Sequence, residues 1–286
     1  MDNFKIVQDI EIMRELLNMT AEELSGEIGV SRVSLNNWLT GKTSVSKSNI
    51  SAVYSFAFRS GIRLNEIKEQ LYREEMSEKG HILLFHGAKT KLEGEIDIKK
   101  SKKNNDFGQG FYCGESLEQS AMFVAGYPES SLYMLEFDGT GLKKRVFRVN
   151  REWMLTIAYF RERLGEFSNS KIIEELIAEN KKADYIIVPI ADNRMFEIID
   201  SFIDGEITDI QCQHCLSATN LGNQYVFVTE KAVDQVSVVE RCFLAEEEKE
   251  YYLTSRKAAA DLSRDKVRVA RKQYRGQGKY IEEILQ

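Results

Sequence analysis

An α+β fold is what the sequence predicts, on three observations. The first 76 residues repeat apolar side chains every three or four positions and contain no convincing strand alternation. Short β-branched and aromatic segments begin only near residue 82, and they do not alternate regularly with helical ones, which disfavours a doubly wound parallel sheet. From residue 246 onward the pattern is helical, charged and increasingly basic. With 286 residues, 43% of them hydrophobic, 29% charged and only 2 Pro, the chain has the length of about two domains and the composition of a folded protein, which excludes a disordered, collagen-like or proline-rich one.

Ile6, Ile10, Met13 and Leu17 share one helical face. Thr20 followed by Glu23 fits a capping box that starts a second helix, and Ser31 fits the cap of a third after a break at Gly29. Further helices fit 47–60 and 64–77, with Gly61 between them. The switch to the apolar run ILLF after SEKGH puts the end of the helical block near 77–80. Strands are expected at 82–86, 131–137, 145–149, 184–190, 223–229 and 236–243, and helices at 116–125, 151–164, 169–181, 193–203 and 207–217. This gives a helical domain at 1–78, a mixed strand and helix domain at 79–245, and a basic helical tail at 246–286.

The stretch MTAEELSGEIGVSRVSLNNWLTGK reads as helix, tight turn at Gly29, and a second helix at 32–39. Leu24, Ile28 and Val30 supply the apolar crossing, and Arg32, Ser34, Asn36 and Asn37 a polar outer face. The segment resembles the phage-repressor (Cro-like) helix-turn-helix family, and that resemblance implies a second helix entering a DNA major groove, with those four residues against the bases. Residues 1–76 carry nine basic against eleven acidic side chains, so attraction to phosphates is weak in this block. The competing reading keeps the fold and replaces DNA with a protein partner.

Residues 82–125 carry the most informative spacing. A buried strand delivers His86 and Gly87. DFGQGFYCGESLEQSAMFVAG follows some twenty residues later. His86 offers an imidazole to a hydroxyl, and Gly87 lets backbone come close to a ligand. Gly108 and Gly110 allow tight turns, Tyr112 and Phe123 offer flat faces to a planar heterocycle, and Ser120 offers a small donor. The block resembles ADP-ribosyltransferases of the poly(ADP-ribose) polymerase and diphtheria-toxin branch, whose His-Tyr-Glu signature it matches in the first two places. The wording IADNRMFEIIDSFIDGEIT and NQYVFVTEKAV also resembles a bacterial domain family grouped with these transferases. The resemblance covers roughly 82–240 and implies a split mixed or antiparallel sheet.

By that resemblance NAD is a substrate, and no metal is needed. His86 would bond the adenosine-side ribose, Gly87 and Ser120 would hold the nicotinamide carboxamide, and Phe123 would stack on the nicotinamide ring with Tyr112 on the other side. Asp106 or Lys103 would touch the diphosphate. The family's Glu, which stabilises an oxocarbenium-like centre through the ribose 2'-hydroxyl, is replaced here by Gln224. An amide orients the ribose but carries no charge and cannot act as a general base at neutral pH, so polymer synthesis is disfavoured. Glu230, six residues on and about 20 Å away along an extended strand, is a poor substitute. What the resemblance leaves is a mono-ADP-ribosyltransferase acting on a macromolecular acceptor, in the role of a toxin or defence effector restrained by an antitoxin-like protein. The alternative is a non-catalytic DNA-binding regulator whose degenerate transferase domain senses NAD or ADP-ribose.

The remaining motifs read more plainly. Cys212, His214 and Cys215 lack the second ligand pair of a structural zinc site and read as packing residues; the four cysteines read as reduced thiols. Asp192, Asn193 and Arg194 fit a helix cap, or else a contact with NAD or acceptor. Residues 254–280 hold nine Lys or Arg against Asp261 and Asp265, with Tyr274 and Tyr280 interleaved, which fits either a solvated face or binding of DNA, RNA or an acidic partner. The net charge of -6 argues against coating of nucleic acid by the whole chain. No apolar run is long enough for a bilayer, and the acidic, helix-patterned start is unlike a signal peptide, so a cytoplasmic protein with no membrane partner is expected.

Overall fold

A computed structural model describes residues 4–218 and 222–285, of Asn193 the backbone alone. The chain divides into two compact units that interleave along the sequence. The first takes the residues up to Gly94 together with Ser116–Phe137 and Ser237–Arg256. The second takes Glu95–Glu115, Asp138–Val236 and the residues from Lys257 on.

The first unit opens with five helices: α1 (Ile6–Leu17), α2 (Ala21–Glu27), α3 (Arg32–Leu39), α4 (Lys47–Arg59) and α5 (Leu64–Lys79). The capping box at α2 is closed, Glu23 N–H donating to Thr20 Oγ1 at 3.2 Å and Thr20 N–H to Glu23 Oε2 at 2.8 Å. Ser31 Oγ accepts from Ser34 N–H at 3.0 Å and starts α3. Leu24, Ile28, Leu35 and Trp38 are buried at the α2–α3 crossing with Ile10 and Met13 of α1, as the apolar spacing predicts, while Val30 packs half-buried against them.

In the same unit lie β1 (Ile82–Ala88), and, after β2 (Phe111–Gly114) of the second unit, α6 (Leu117–Val124) and β3 (Ser131–Phe137). β1 and β3 are antiparallel, with Phe85 opposite Met134 and Gly87 opposite Leu132. Leu83, Phe85, Leu132 and Met134 bury one face of this pair under α6, and Leu84, His86, Tyr133 and Leu135 take the other by strand alternation.

The second unit continues with β4 (Lys144–Val146), α7 (Arg151–Phe160), α8 (Lys171–Asn180), β5 (Tyr185–Pro189), α9 (Asn193–Ile203), α10 (Asp209–Ser217), β6 (Asn223–Phe227) and α11 (Glu230–Val233). Its strand order is β4-β5-β6-β2, with β4 parallel to β5 and the other two pairs antiparallel. The last strand of the chain, β7 (Val236–Cys242), lies beside β3. α12 (Glu246–Gln273) starts in the first unit and belongs to the second from Lys257; α13 (Ile281–Leu285) closes the chain. Trp153, Phe202 and Val226 centre the second core, joined there by Ile281, Ile284 and Leu285.

Three expectations change. No strand is expected at Phe111–Gly114, yet these four residues form β2 and pair with β6. The helix expected over 151–164 stops at Phe160, because Glu162 turns to a φ of 60° and leaves the helical region. The end of the chain is not a plain basic tail, since α13 puts its apolar side chains into the second core. No helix among the described residues is long and apolar enough to cross a membrane.

Candidate functional site

On the helix-turn-helix, Arg32 and Asn36 are exposed on α3, and Ser34 and Asn37 are half-buried. Arg32 is held by Glu22 at 3.2 Å, an exposed pair that a phosphate or base edge can displace at little cost. Ser34 Oγ is within 2.8 Å of Ser31 Oγ at the cap. Val33 projects beside them, 69% exposed, an apolar group suited to a thymine methyl.

In the first unit the structure brings three of the predicted residues together. A Cβ at Gly87 would come within 2.8 Å of Val124 Cγ1, 3.0 Å of the Ser120 carbonyl and 3.3 Å of Phe123 Cδ1. Only glycine therefore allows α6 to lie this close to the end of β1. Ser120 is buried, whereas the Phe123 ring is 49% exposed and tilted against Tyr127 at 6.3 Å. Lys89 Nζ sits 4.9 Å above the Tyr127 ring. His86 does not join this group. It occupies the opposite face of β1, in register with Tyr133, whose hydroxyl accepts from Leu92 N–H at 3.0 Å.

In the second unit, Tyr112 and Gln224 share one sheet face. Gln224 lies opposite Gly114 and Val188, and Tyr112 opposite Val226, so both point toward the face where Val188 and Val226 are buried, while Asp106 stands in the loop before β2. The loop before β2 is tied down by Gln109, whose amide donates to the carbonyls of Lys99 at 2.9 Å and Ser101 at 3.0 Å. Gly108, at a φ of +76°, turns the chain with Phe160 Cε1 only 2.7 Å from where a Cβ would stand. Tyr112 then donates to the Gly108 carbonyl at 2.7 Å and accepts from Phe107 N–H at 3.2 Å; burial pushes its phenol up. Both of these bonds go to the loop itself, so the ring serves to brace the chain as well as to present a face.

Asp106 has a protein partner that the sequence does not suggest. Arg161 donates to Asp106 Oδ1 through Nε at 2.9 Å and through a terminal nitrogen at 2.7 Å, and the Gln224 amide donates to the same carboxylate. Burial pushes Asp106 above the usual carboxylate range, against the pull of Arg161 and of that amide. The Arg161 guanidinium lies 3.1 Å from the centroid of Phe196 and lines a cleft of about 180 Å³ with Asn104, Arg163 and Asp200. Lys103 stands exposed in the same loop. Arg161 and Phe196 were not singled out in the sequence, because 55 residues separate Asp106 from its partner and no local spacing signals the pair.

Asp192 acts as a cap, its Oδ1 accepting from Arg194 N–H and Met195 N–H at 3.0 Å each; the Asn193 side chain lies outside the described residues. Cys212 Sγ lies 3.6 Å from the Ile198 carbonyl and Cys215 Sγ 3.8 Å from that of Val267, and burial pushes both thiols up, so they pack as neutral groups. His214 stacks on Tyr274 with ring centroids 3.5 Å apart.

Residues 10–53 match a helix-turn-helix family, which supports a DNA-binding or regulatory role for the first helices. No curated protein and no solved structure matches the chain. Residues 82–238, more than half of the 286, match the family described as a protein of unknown function, DUF3990, and to that family the chain belongs.

Proposed function

We propose that this chain is an NAD-dependent mono-ADP-ribosyltransferase whose helix-turn-helix brings it to DNA. The observation that carries the proposal is the state of Gln224. An amide that donates to the buried Asp106 carboxylate turns its carbonyl oxygen away from that carboxylate, and a carbonyl oxygen accepts a hydrogen bond. That is the polarity a ribose hydroxyl needs, and it is the one feature of the missing carboxylate that an amide can copy. In the first unit, Gly87 under α6 with Ser120 and the exposed Phe123 ring suits a flat carboxamide-bearing ring. NAD supplies a leaving group that is already cationic. The residues of the chain need only orient it and exclude water, with no strong base.

A second reading has an observation of its own. Gln224 is uncharged and cannot activate an acceptor hydroxyl, which favours a regulator that binds NAD or ADP-ribose without turnover.

Labelled NAD incubated with the protein and cell lysate separates the two. A transferase releases nicotinamide and labels an acceptor in equal amounts, and Gly87→Ala and Gln224→Ala each abolish both. Binding of NAD with no nicotinamide release establishes the sensor. Nicotinamide release without a labelled acceptor establishes plain hydrolysis. Absence of both binding and release removes NAD from the account.

A further inference from the structure

The half of α12 in the second unit is fixed in rotation about its axis. Ala260 gives its carbonyl to Arg194 at 2.8 Å, Val267 its own to Cys215, Ala270 is buried, and the Tyr274 ring lies on His214. These positions recur every three or four residues, or after seven, and so mark one inward face. Gln211 adds a bond from its amide to the Arg271 carbonyl at 2.5 Å.

Along one exposed flank, Lys257, Arg264, Arg268 and Lys272 are spaced seven, four and four residues apart, which at 3.6 residues per turn makes a single row about 23 Å long. All four residues are exposed, and the exposed Arg275 follows in the turn after the helix. The two aspartates nearby do not quench the row. Asp261 meets Arg264 at 3.1 Å and Asp265 meets Arg268 at 3.9 Å, but every one of these side chains is more than half exposed, where such pairs are weak and readily exchanged.

We infer that this row is a contact for the phosphate backbone of duplex DNA, independent of base sequence. The choice of partner rests on charge. The helix-turn-helix matched at 10–53 sits in a block with more acidic than basic residues. Two of that block's nine basic side chains are already committed, Lys68 being buried between carboxylates and Lys5 bonded to Tyr72. Phosphate neutralisation dominates affinity for DNA, so a DNA-binding chain of this kind needs its cations elsewhere, and the row on α12 supplies them. The inference needs no NAD chemistry and stands or falls apart from the transferase proposal.

The test is anisotropy titration of the full-length protein with a labelled random-sequence duplex across a salt series. Arg264→Gln/Arg268→Gln/Lys272→Gln removes three cations while keeping good helix formers. We expect the affinity at low salt to fall at least tenfold, and the slope of log K against log salt to shrink by about 2–3, close to one unit per lost phosphate contact. Arg264→Lys/Arg268→Lys/Lys272→Arg, which keeps charge, should bind like the parent. Unchanged circular dichroism and melting certify the fold of both variants. The inference is overturned if the glutamine variant keeps the parent's affinity and slope. It is equally overturned if the row governs binding to phosphatidylserine vesicles, to which Leu262 and Val269 would contribute, or to single-stranded RNA, and leaves the duplex unaffected.

Discussion

Each unit sets a cation among polar partners, and the two arrangements differ in one respect that separates structure from function. In the first unit Lys68 of α5 reaches Asp9 of α1 at 2.9 Å and Glu240 of β7 at 2.5 Å, and all three side chains are essentially without solvent contact. Tyr54 of α4 donates to Asp9, Lys68 donates to Tyr54 at 3.0 Å, and Tyr72 donates to Glu240 Oε2 at 2.7 Å. Every partner of this cluster is inside the protein. In the second unit the Arg161 side chain is 36% exposed beside a cleft, and the chain from Arg161 through Asp106 ends on the Gln224 amide, whose oxygen is an acceptor. A sealed cluster fixes elements to one another; an open one has hydrogen-bonding capacity left for a ligand.

The sealed cluster ties α1, α4 and α5 to the strand that ends the family-matched segment, and its loss should produce the largest effect. Lys68→Met leaves two carboxylates buried without a cation, for which a cost of about 3–5 kcal/mol is expected. Urea unfolding followed through Trp38, in a Trp153→Phe background, should show its midpoint collapse. A loss below about 1 kcal/mol would mean that the cluster admits water, and the contrast with Arg161 would disappear.

Glu248 gives the next effect in size. It is buried at the start of α12 and receives Asn65 Nδ2 at 3.2 Å; burial pushes its carboxyl up to about 7, although the Asn65 bond and the charges of Lys68 and Arg63 pull the other way. A carboxyl whose folded value is raised favours the folded state when protonated. Its contribution is present below the unfolded value near 4.5 and is lost as pH rises through 7. The stability of the parent should therefore fall by roughly 3 kcal/mol over that window, at most about 1.4 per pH unit. Glu248→Gln should flatten the profile. A profile that stays as steep in the variant assigns the titration to Asp9, whose carboxyl is also raised by burial.

How much of this was legible beforehand follows from the range of the interactions. The helix-turn-helix is local: the Thr20 and Glu23 cap, the Ser31 cap and the apolar spacing all act within a few residues, and the structure keeps each. β2 was missed because FYCG is four residues long and its pairing is with β6, more than a hundred positions away. In sequence Lys68 is only one of nine basic residues of the helical block, and nothing within a turn of α5 reveals that Asp9 and Glu240 enclose it. At the candidate site the glycine, serine and aromatic of Gly87, Ser120 and Phe123 were legible because one strand end and one helix carry them. The Arg161 partner of Asp106 was not, because 55 residues separate the two.

The smallest expected change tests the open cluster directly. Gln224→Glu removes the amide donor from Asp106 and sets a second carboxylate against it, with Arg161 as the nearby counter-charge. Like charges sharing one site disfavour joint ionisation, so the pair should hold one proton into the neutral range. Because this raises the folded-state value above the unfolded one, stability should match the parent near pH 4–5 and fall behind it as pH rises, by about 1 kcal/mol, since partial exposure lets water relieve the repulsion. The same proton would keep the new carboxyl from acting as the charged group of the His-Tyr-Glu signature. On that account Gln224→Glu alone gains little nicotinamide release at neutral pH, and Asp106→Asn/Gln224→Glu, in which an amide can donate to the new carboxylate, gains more. Melting temperatures across pH, set beside nicotinamide release for the parent and both variants, read the two consequences separately. A Gln224→Glu protein with the parent's pH profile would show that its side chain points away from Asp106, and the oriented amide on which the transferase proposal rests would be lost with it.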